Sequence, residues 1–391
     1  MEHCVVVGAG LAGLNTAVAL RNQGYSERIT LLGAEPCPPY DRPPLSKELL
    51  RGEVDDTTLP ADWSALEVDC RWGVAATGLD ESAVRTAVGP VPCDGVVVAT
   101  GAAPVRLPGD GPQRTLRSID DARQLRAALR PGARLAIVGA GWIGAEVATE
   151  ARRLGCQVTV VEAADWPLAG ALPAEVASRC AHWWAAADVD LRVGAKVAAV
   201  RTGGLELTDG SVVEADEVLC AVGVRPRVDW LADSGLAFAC GGIEVDDRLA
   251  ARPGVCAVGD VAAWPSTRYG RRLRVEHWDT ALRAPAVAAA TLLGGAETYD
   301  PVPYVWSEQF GRYTQYVGMH DDTDELVWRG DPDADAAWAA CWLSGDTVRA
   351  VFTVDRPRDA MQARKVAERG QRVDRQLLAD PAVPVKRAVV D

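Results

Sequence analysis

Nowhere in this 391-residue chain does an apolar run reach the length of about 18 residues that a membrane-spanning helix needs. Positive charge is also short: 41 Lys and Arg stand against 54 Asp and Glu, for a net charge of −13. That balance excludes general nucleic-acid binding, which requires a basic face, but leaves room for a local basic patch. Histidine is sparse, with only His3, His182, His277 and His320, and no His/Cys cluster has metal-ligand spacing, so no metal site is expected. The ten cysteines include no C-x-x-C, and several fall inside expected strands, where a free thiol behaves as a small hydrophobe. This usage argues against a disulfide scaffold and for a reducing cytoplasm. The chain enters a strand at once, which is expected to leave no room for a secretory signal peptide. What remains is ordinary for a soluble globular protein, with 48% hydrophobic and 24% charged residues and length for two or three domains.

The opening of the chain carries the strongest positive signal. Residues 4–7 (Cys-Val-Val-Val) read as a buried parallel strand. Gly8, Gly10 and Gly13 follow as G-x-G-x-x-G, with Leu11 and Ala12 inside the motif and an apolar helix after it. Glycines at this spacing give a tight turn, a close backbone approach to a pyrophosphate, and close helix–strand packing. The helix then aims its N-terminal N–H groups and dipole at that anion. A second strand, 28–32, ends near Glu35, 22 residues after Gly13, where a carboxylate accepts hydrogen bonds from an adenosine ribose.

The same unit occurs again. Gly139, Gly141, Trp142, Ile143 and Gly144 repeat the turn after an apolar strand, and a following strand ends in Glu162, 18 residues after Gly144. Each copy closes with a short apolar strand and a glycine, Gly101 in the first and Gly223 in the second. Two copies of one nucleotide-binding fold make a more specific statement than either motif alone. Between them, residues 102–131 hold Pro104, Pro108, Gly109, Gly111 and Pro112, which mark a crossing between domains. A third short strand ends at Gly259 and Asp260, and an Ala-rich helix is expected over 281–293 with Pro285 near its start. From Tyr304 aromatics cluster, and strand-like runs at 315–318, 324–329, 337–343 and 347–354 precede a helix at about 357–369. The expected fold is α/β: a discontinuous first domain (1–105 and 229–303), a second (106–228), and a C-terminal α+β domain (304–391).

The segment Pro39-Tyr40-Asp41-Arg42-Pro43-Pro44-Leu45-Ser46-Lys47 resembles the signature of FAD-dependent NAD(P)H–ferredoxin reductases that serve bacterial cytochromes P450 and ring-hydroxylating dioxygenases, within the wider glutathione reductase fold. The resemblance continues through both glycine motifs, residues 255–260, Glu276-His277-Trp278, residues 302–309 and residues 355–358. It implies FAD in the first unit and the nicotinamide nucleotide in the second. It further implies that Arg42 and Arg117 serve the flavin's phosphates, that Val74, Thr100 and Gly101 line the adenosine side, and that Asp260 holds the ribityl chain. His277, Trp278 and Trp306 would lie about the flavin. Lys47 would stabilise negative charge on the flavin edge, and Glu146 would steady the nicotinamide amide; these two are the expected catalytic residues.

Glu162 would meet a 2′-phosphate with like charge, and Trp166 and Pro167 stand where the family often has an arginine, so NADH is expected over NADPH. Disulfide reductases of this fold carry C-x4-C on the first long helix, whereas residues 42–50 contain no cysteine and Cys37 lies before the loop. Without a protein disulfide the electrons must leave singly, and the resemblance implies a [2Fe–2S] ferredoxin as the acceptor. Such carriers are usually acidic, and residues 356–375 hold seven basic against three acidic residues, which makes Arg356, Arg358, Arg364 and Lys365 a candidate docking patch. An NADH oxidase or peroxidase, or a redox-signalling flavoprotein, are the competing readings. The oligomer is expected to be a monomer or homodimer.

Overall fold

A computed structural model describes residues 1–390. The chain divides into two compact units, each assembled from three segments. The first comprises Met1–Asp41, Thr57–Ala103 and Val224–Pro303; the second comprises Arg42–Asp56, Pro104–Gly223 and the chain from Tyr304 onward.

In the first unit a six-stranded sheet has the order Ala250–Arg252, Val255–Ala257, Gly95–Val98, His3–Val7, Arg28–Gly33, Val68–Trp72. All neighbours are parallel except the outermost pair at the Ala250 edge. Cys4 to Val7 are at most 2% exposed, as an unbroken β-branched run requires when both faces of a sheet are covered. Helix Leu11–Asn22 packs against helix Trp278–Leu292. The latter begins three residues earlier than the sequence suggests. His277 caps it by accepting the Asp279 N–H at 3.3 Å, so Pro285 lies buried in the helix interior and not near its start. A histidine cap falls outside the Ser/Thr/Asp/Asn set that marks most helix starts.

The second unit holds a four-stranded parallel sheet in the order Asp190–Arg192, Gln157–Val161, Arg134–Val138, Glu217–Cys220, and beside it a three-stranded antiparallel meander. It also holds an antiparallel sheet in the order Tyr304–Gln309, Arg312–Gly318, Thr347–Val354, Trp338–Ser344, Glu325–Arg329. Leu168, Leu172, Val176 and Trp183 share one apolar core with Trp338, Trp342 and Phe352 of that sheet. Trp142 meets Phe352 with ring centroids 6.4 Å apart, and Trp184 meets Phe310 at 4.8 Å. Full burial of a side chain such as Trp183, Trp338 or Phe352 contributes about 1.5–3 kcal/mol, so the C-terminal sheet is a structural partner of the second nucleotide repeat.

Helix Pro357–Glu368 covers the other face of the antiparallel sheet, with Ala360, Ala363, Arg364 and Ala367 on its buried side. Arg329, 1% exposed, forks onto both Asp359 oxygens at 2.8 and 3.3 Å. It also donates to the carbonyls of Leu378 at 2.9 Å and Val383 at 2.6 Å, which ties the last segment of the chain to the sheet.

Candidate functional site

The two glycine turns have the same geometry. At the first, Gly8 has φ +114°, and a Cβ there would stand 2.2 Å from the Ala99 carbonyl oxygen; one on Gly13 would stand 1.9 Å from the Gly8 oxygen. At the second, Gly139 has φ +101° with the Ala221 oxygen 2.5 Å from a built Cβ, and Gly144 meets the Gly139 oxygen at 2.0 Å. A Cβ at the middle glycine of either turn, Gly10 or Gly141, would meet nothing within 4 Å. Protein therefore fills the space at the outer glycines and leaves it open at the central one. Neither helix that follows has a side-chain cap or an acid in its first turn. Leu11, Ala12, Trp142 and Ile143 thus open helices whose first N–H groups face a place suited to an anion. Both turns fit a nucleotide pyrophosphate.

An acid closes each second strand. The Glu35 carboxylate accepts from the Tyr40 hydroxyl at 2.5 Å. Glu162 accepts from the Ala140 N–H at 2.7 Å and the Ala164 N–H at 2.8 Å, so it is locked against its own glycine turn. In the first unit the remaining expected residues gather at the same end of the sheet. Val74 donates its N–H to the Gly33 carbonyl at 2.7 Å, and the Thr100 hydroxyl donates to the Arg227 carbonyl at 2.7 Å. Gly101, φ +64°, accepts the Arg227 N–H at 2.9 Å. A Cβ on Gly259 would lie 3.3 Å from Ala12, which places buried Asp260 beside the first turn. Trp278 donates its indole N–H to Asp41 at 2.9 Å. In the second unit Gly223, φ +97°, would place a Cβ in open space.

The second unit also brings together the two expected catalytic residues. The Lys47 ammonium lies 2.8 Å from Glu146 Oε2, with side-chain exposures of 7% and 3%. Ser46 donates to the same oxygen, and Ser307 donates to Oε1 at 2.7 Å. One turn along the helix Thr149 accepts the Phe310 N–H at 2.9 Å, and buried Glu150 pairs with Arg51 at 2.9 Å. Burial pushes the Glu150 carboxyl up against the opposing pull of Arg153 and Arg51. Sequence reasoning missed Ser46 and Ser307; both sit next to a residue it singled out, but their meeting on Glu146 spans 100 and 161 residues of chain. Arg42 donates to the Arg117 carbonyl, and the N–H groups of Arg117 and Ser118 each reach Asp121 at 3.0 Å, at the start of helix Ile119–Ala128. Trp306 stacks on Tyr304, with centroids 5.8 Å apart.

The basic stretch does not form a single exposed patch. Arg364 is 4% exposed, with its guanidinium 5.1 Å from the centre of the Tyr304 ring. Arg356 is half-buried and bonded to Asp359 at 2.7 Å, while Arg358 and Lys365 are exposed. Arg364 replaces an apolar residue in the buried stripe of its helix, so its charge is spent inside the domain.

Thiol chemistry is suppressed by packing. Burial pushes Cys70 and Cys93 up to about 11, and Cys256 and Cys341 up to about 12. Cys240 is exposed. Titration of the native protein with an aromatic disulfide reagent is expected to label Cys240 within minutes and to leave Cys4, Cys256 and Cys341 unreacted until urea is added; rapid labelling of these three would contradict the packing. Among the described residues no group of His, Cys, Asp or Glu could hold a metal, and no helix is long and apolar enough to cross a membrane.

Comparison with known proteins extends these observations across the chain. Residues 2–284 match the model of the pyridine nucleotide-disulphide oxidoreductases, and residues 304–389 match a reductase C-terminal domain. The ferredoxin–NAD(+) reductase component of the anthranilate 1,2-dioxygenase system of Burkholderia cepacia is 37% identical, covering 98% of this chain and 98% of that one. The crystal structure of Fdr9 superposes with a TM-score of 0.94 at 47% identity, covering 98% of this chain and 99% of that one. Putidaredoxin reductase, in its covalent complex with putidaredoxin, superposes with a TM-score of 0.93 at 30% identity, covering 99% and 98%.

Proposed function

This chain belongs to the pyridine nucleotide-disulphide oxidoreductase family, and on that premise we propose that it is a ferredoxin reductase that takes electrons from NADH and delivers them singly to a [2Fe–2S] protein feeding a P450 or ring-hydroxylating oxygenase. The observation that carries the reading is the pairing of two congruent pyrophosphate cradles with the lack of any cysteine in residues 42–50, where a disulfide reductase needs its pair. Residues 1–105 and 229–303 form the proposed FAD domain, 106–228 the NADH domain and 304–391 the C-terminal domain. When bound, FAD supplies the conversion from a two-electron donor to one-electron steps. The balance is one NADH and two oxidised ferredoxins giving NAD+, two reduced ferredoxins and one proton.

The chain's own residues bind and orient. The Gly10 and Gly141 turns take the two pyrophosphates, and Glu35 and Glu162 take ribose hydroxyls. Arg42, Arg117, Thr100, Gly101, Val74 and Asp260 are assigned to FAD, with His277, Trp278 and Trp306 about its ring. Lys47 holds positive charge for the flavin. A carboxylate has about four acceptor sites; Glu146 uses three on Ser46, Lys47 and Ser307, which leaves one at Oε1 to accept from a nicotinamide amide. Exposed Arg358 and Lys365 are the docking cations retained for an acidic ferredoxin. The free thiols suit a cytoplasmic setting.

Anaerobic turnover with cytochrome c as reporter tests the reading. Added [2Fe–2S] ferredoxin is expected to raise the rate by about 100-fold or more over protein and NADH alone. Glu162 repels a 2′-phosphate, so kcat/KM for NADH should exceed that for NADPH by at least about tenfold. Full-speed turnover on air without ferredoxin would favour an oxidase instead.

A further inference from the structure

Both ends of the loop after Glu162 are tied to one residue of the second glycine turn. The Glu162 carboxylate accepts the Ala140 N–H at 2.7 Å, and six residues later the Leu168 N–H donates to the Ala140 carbonyl at 3.0 Å. Leu168 has φ +59°, a left-handed conformation that turns the chain back toward the cradle. A neighbouring loop is tied to the same arc: Gly194 donates to the Ala164 carbonyl at 2.8 Å, and Ala195 to the Glu162 carbonyl at 2.9 Å. Between the anchors stands Trp166, 39% exposed, and on the neighbouring loop Val193, 41% exposed. Two large apolar side chains thus keep about 40% of their surface open on loops fixed at the rim of a nucleotide cradle, in a chain whose other tryptophans include three that are at most 1% exposed. Neither belongs to the buried core.

Resting on the assignment of this cradle to NADH, we propose that Trp166, with Val193, is the platform on which the coenzyme's adenine ring stacks. An arc pinned at both ends loses little freedom on binding, and a preset aromatic face takes a base at low entropic cost. The pairing also divides selection between two groups. Glu162 reads the ribose 2′-position by hydrogen bonding and charge, while Trp166 supplies affinity for the base. Trp166 is a binding residue that works on the nucleotide far from the reacting carbon, so its loss acts on KM and not on kcat.

The test uses the flavin-loaded enzyme and three ligands. Equilibrium dialysis of ADP-ribose reads the platform without any electron transfer. Trp166→Ala is expected to weaken ADP-ribose about tenfold and Trp166→Phe to restore most of that loss. In turnover, Trp166→Ala should raise KM for NADH by a similar factor with kcat within about twofold, and should shrink the advantage of NADH over reduced nicotinamide mononucleotide, which has no adenine, by the same factor. Unchanged ADP-ribose affinity in Trp166→Ala would overturn the proposal, as would an equal loss with both reduced nucleotides. If ferredoxin proved not to be the acceptor, the dialysis result would be unaffected, so the two readings fail separately.

Discussion

Lys47→Met is expected to lower the thermal midpoint by several degrees and the unfolding free energy by about 3–5 kcal/mol, because it strands a buried carboxylate. The Glu146 side chain is 3% exposed and its charge is balanced by one cation, the ammonium at 2.8 Å. Ser46 and Ser307 would still donate to it, yet two neutral hydroxyls do not cancel a full charge in a medium that screens it poorly. Adding Glu146→Gln to the methionine variant should recover most of the loss, since a fully neutral pair has no charge to desolvate. Urea and thermal unfolding of wild type, both single variants and the double variant form a cycle that isolates the coupling. A Lys47→Met protein as stable as wild type would show that the carboxylate has another counter-charge. Reductase turnover should not return with stability in the double variant, because the positive charge assigned to the flavin is still missing.

The second large effect belongs to Arg329. Arg329→Met should cost about 3–5 kcal/mol and free the end of the chain, because three carbonyls lose their donor while Asp359 keeps Arg356. The guanidinium uses its planar fork on Asp359 and its outer edges on the carbonyls of Leu378, Asp380 and Val383. Arg329→Lys should fare little better, since a single ammonium cannot span a carboxylate and three separated carbonyls. Limited proteolysis reads the consequence directly. Cleavage between residues 374 and 388 should accelerate by at least about tenfold, with the rest of the chain resistant. Unchanged cleavage in Arg329→Met would mean that other contacts hold this segment.

Local signals in the sequence were good guides where local sterics decide. The strand at 347–354 is found as expected, and both glycine turns have the conformation their spacing demands. The helix expected at 281–293 starts instead at Trp278, because its cap is a histidine, and Pro285 sits inside it because packing of a long helix outweighs one missing N–H. Charge counting over 356–375 identified the basic stretch but not that Arg364 faces inward. The signal was nonetheless present: Ala360, Ala363, Arg364 and Ala367 share one helical face, and a charge within such a stripe reads as buried and paired. The meeting of Lys47, Glu146 and Ser307 lay beyond local inference, since it depends on how three distant segments assemble.

The order of the first sheet has a consequence for biosynthesis. Strand Val255–Ala257 pairs with Gly95–Val98, so the open edge of that strand waits for roughly 150 residues of further translation. At about 5–20 residues per second that is on the order of ten to thirty seconds during which backbone donors and acceptors beside Val97 have no neighbour. A nascent chain stalled anywhere in this interval carries a sticky β edge, so the yield of this protein should depend on translation speed and on the holdases that shield such edges at the ribosome.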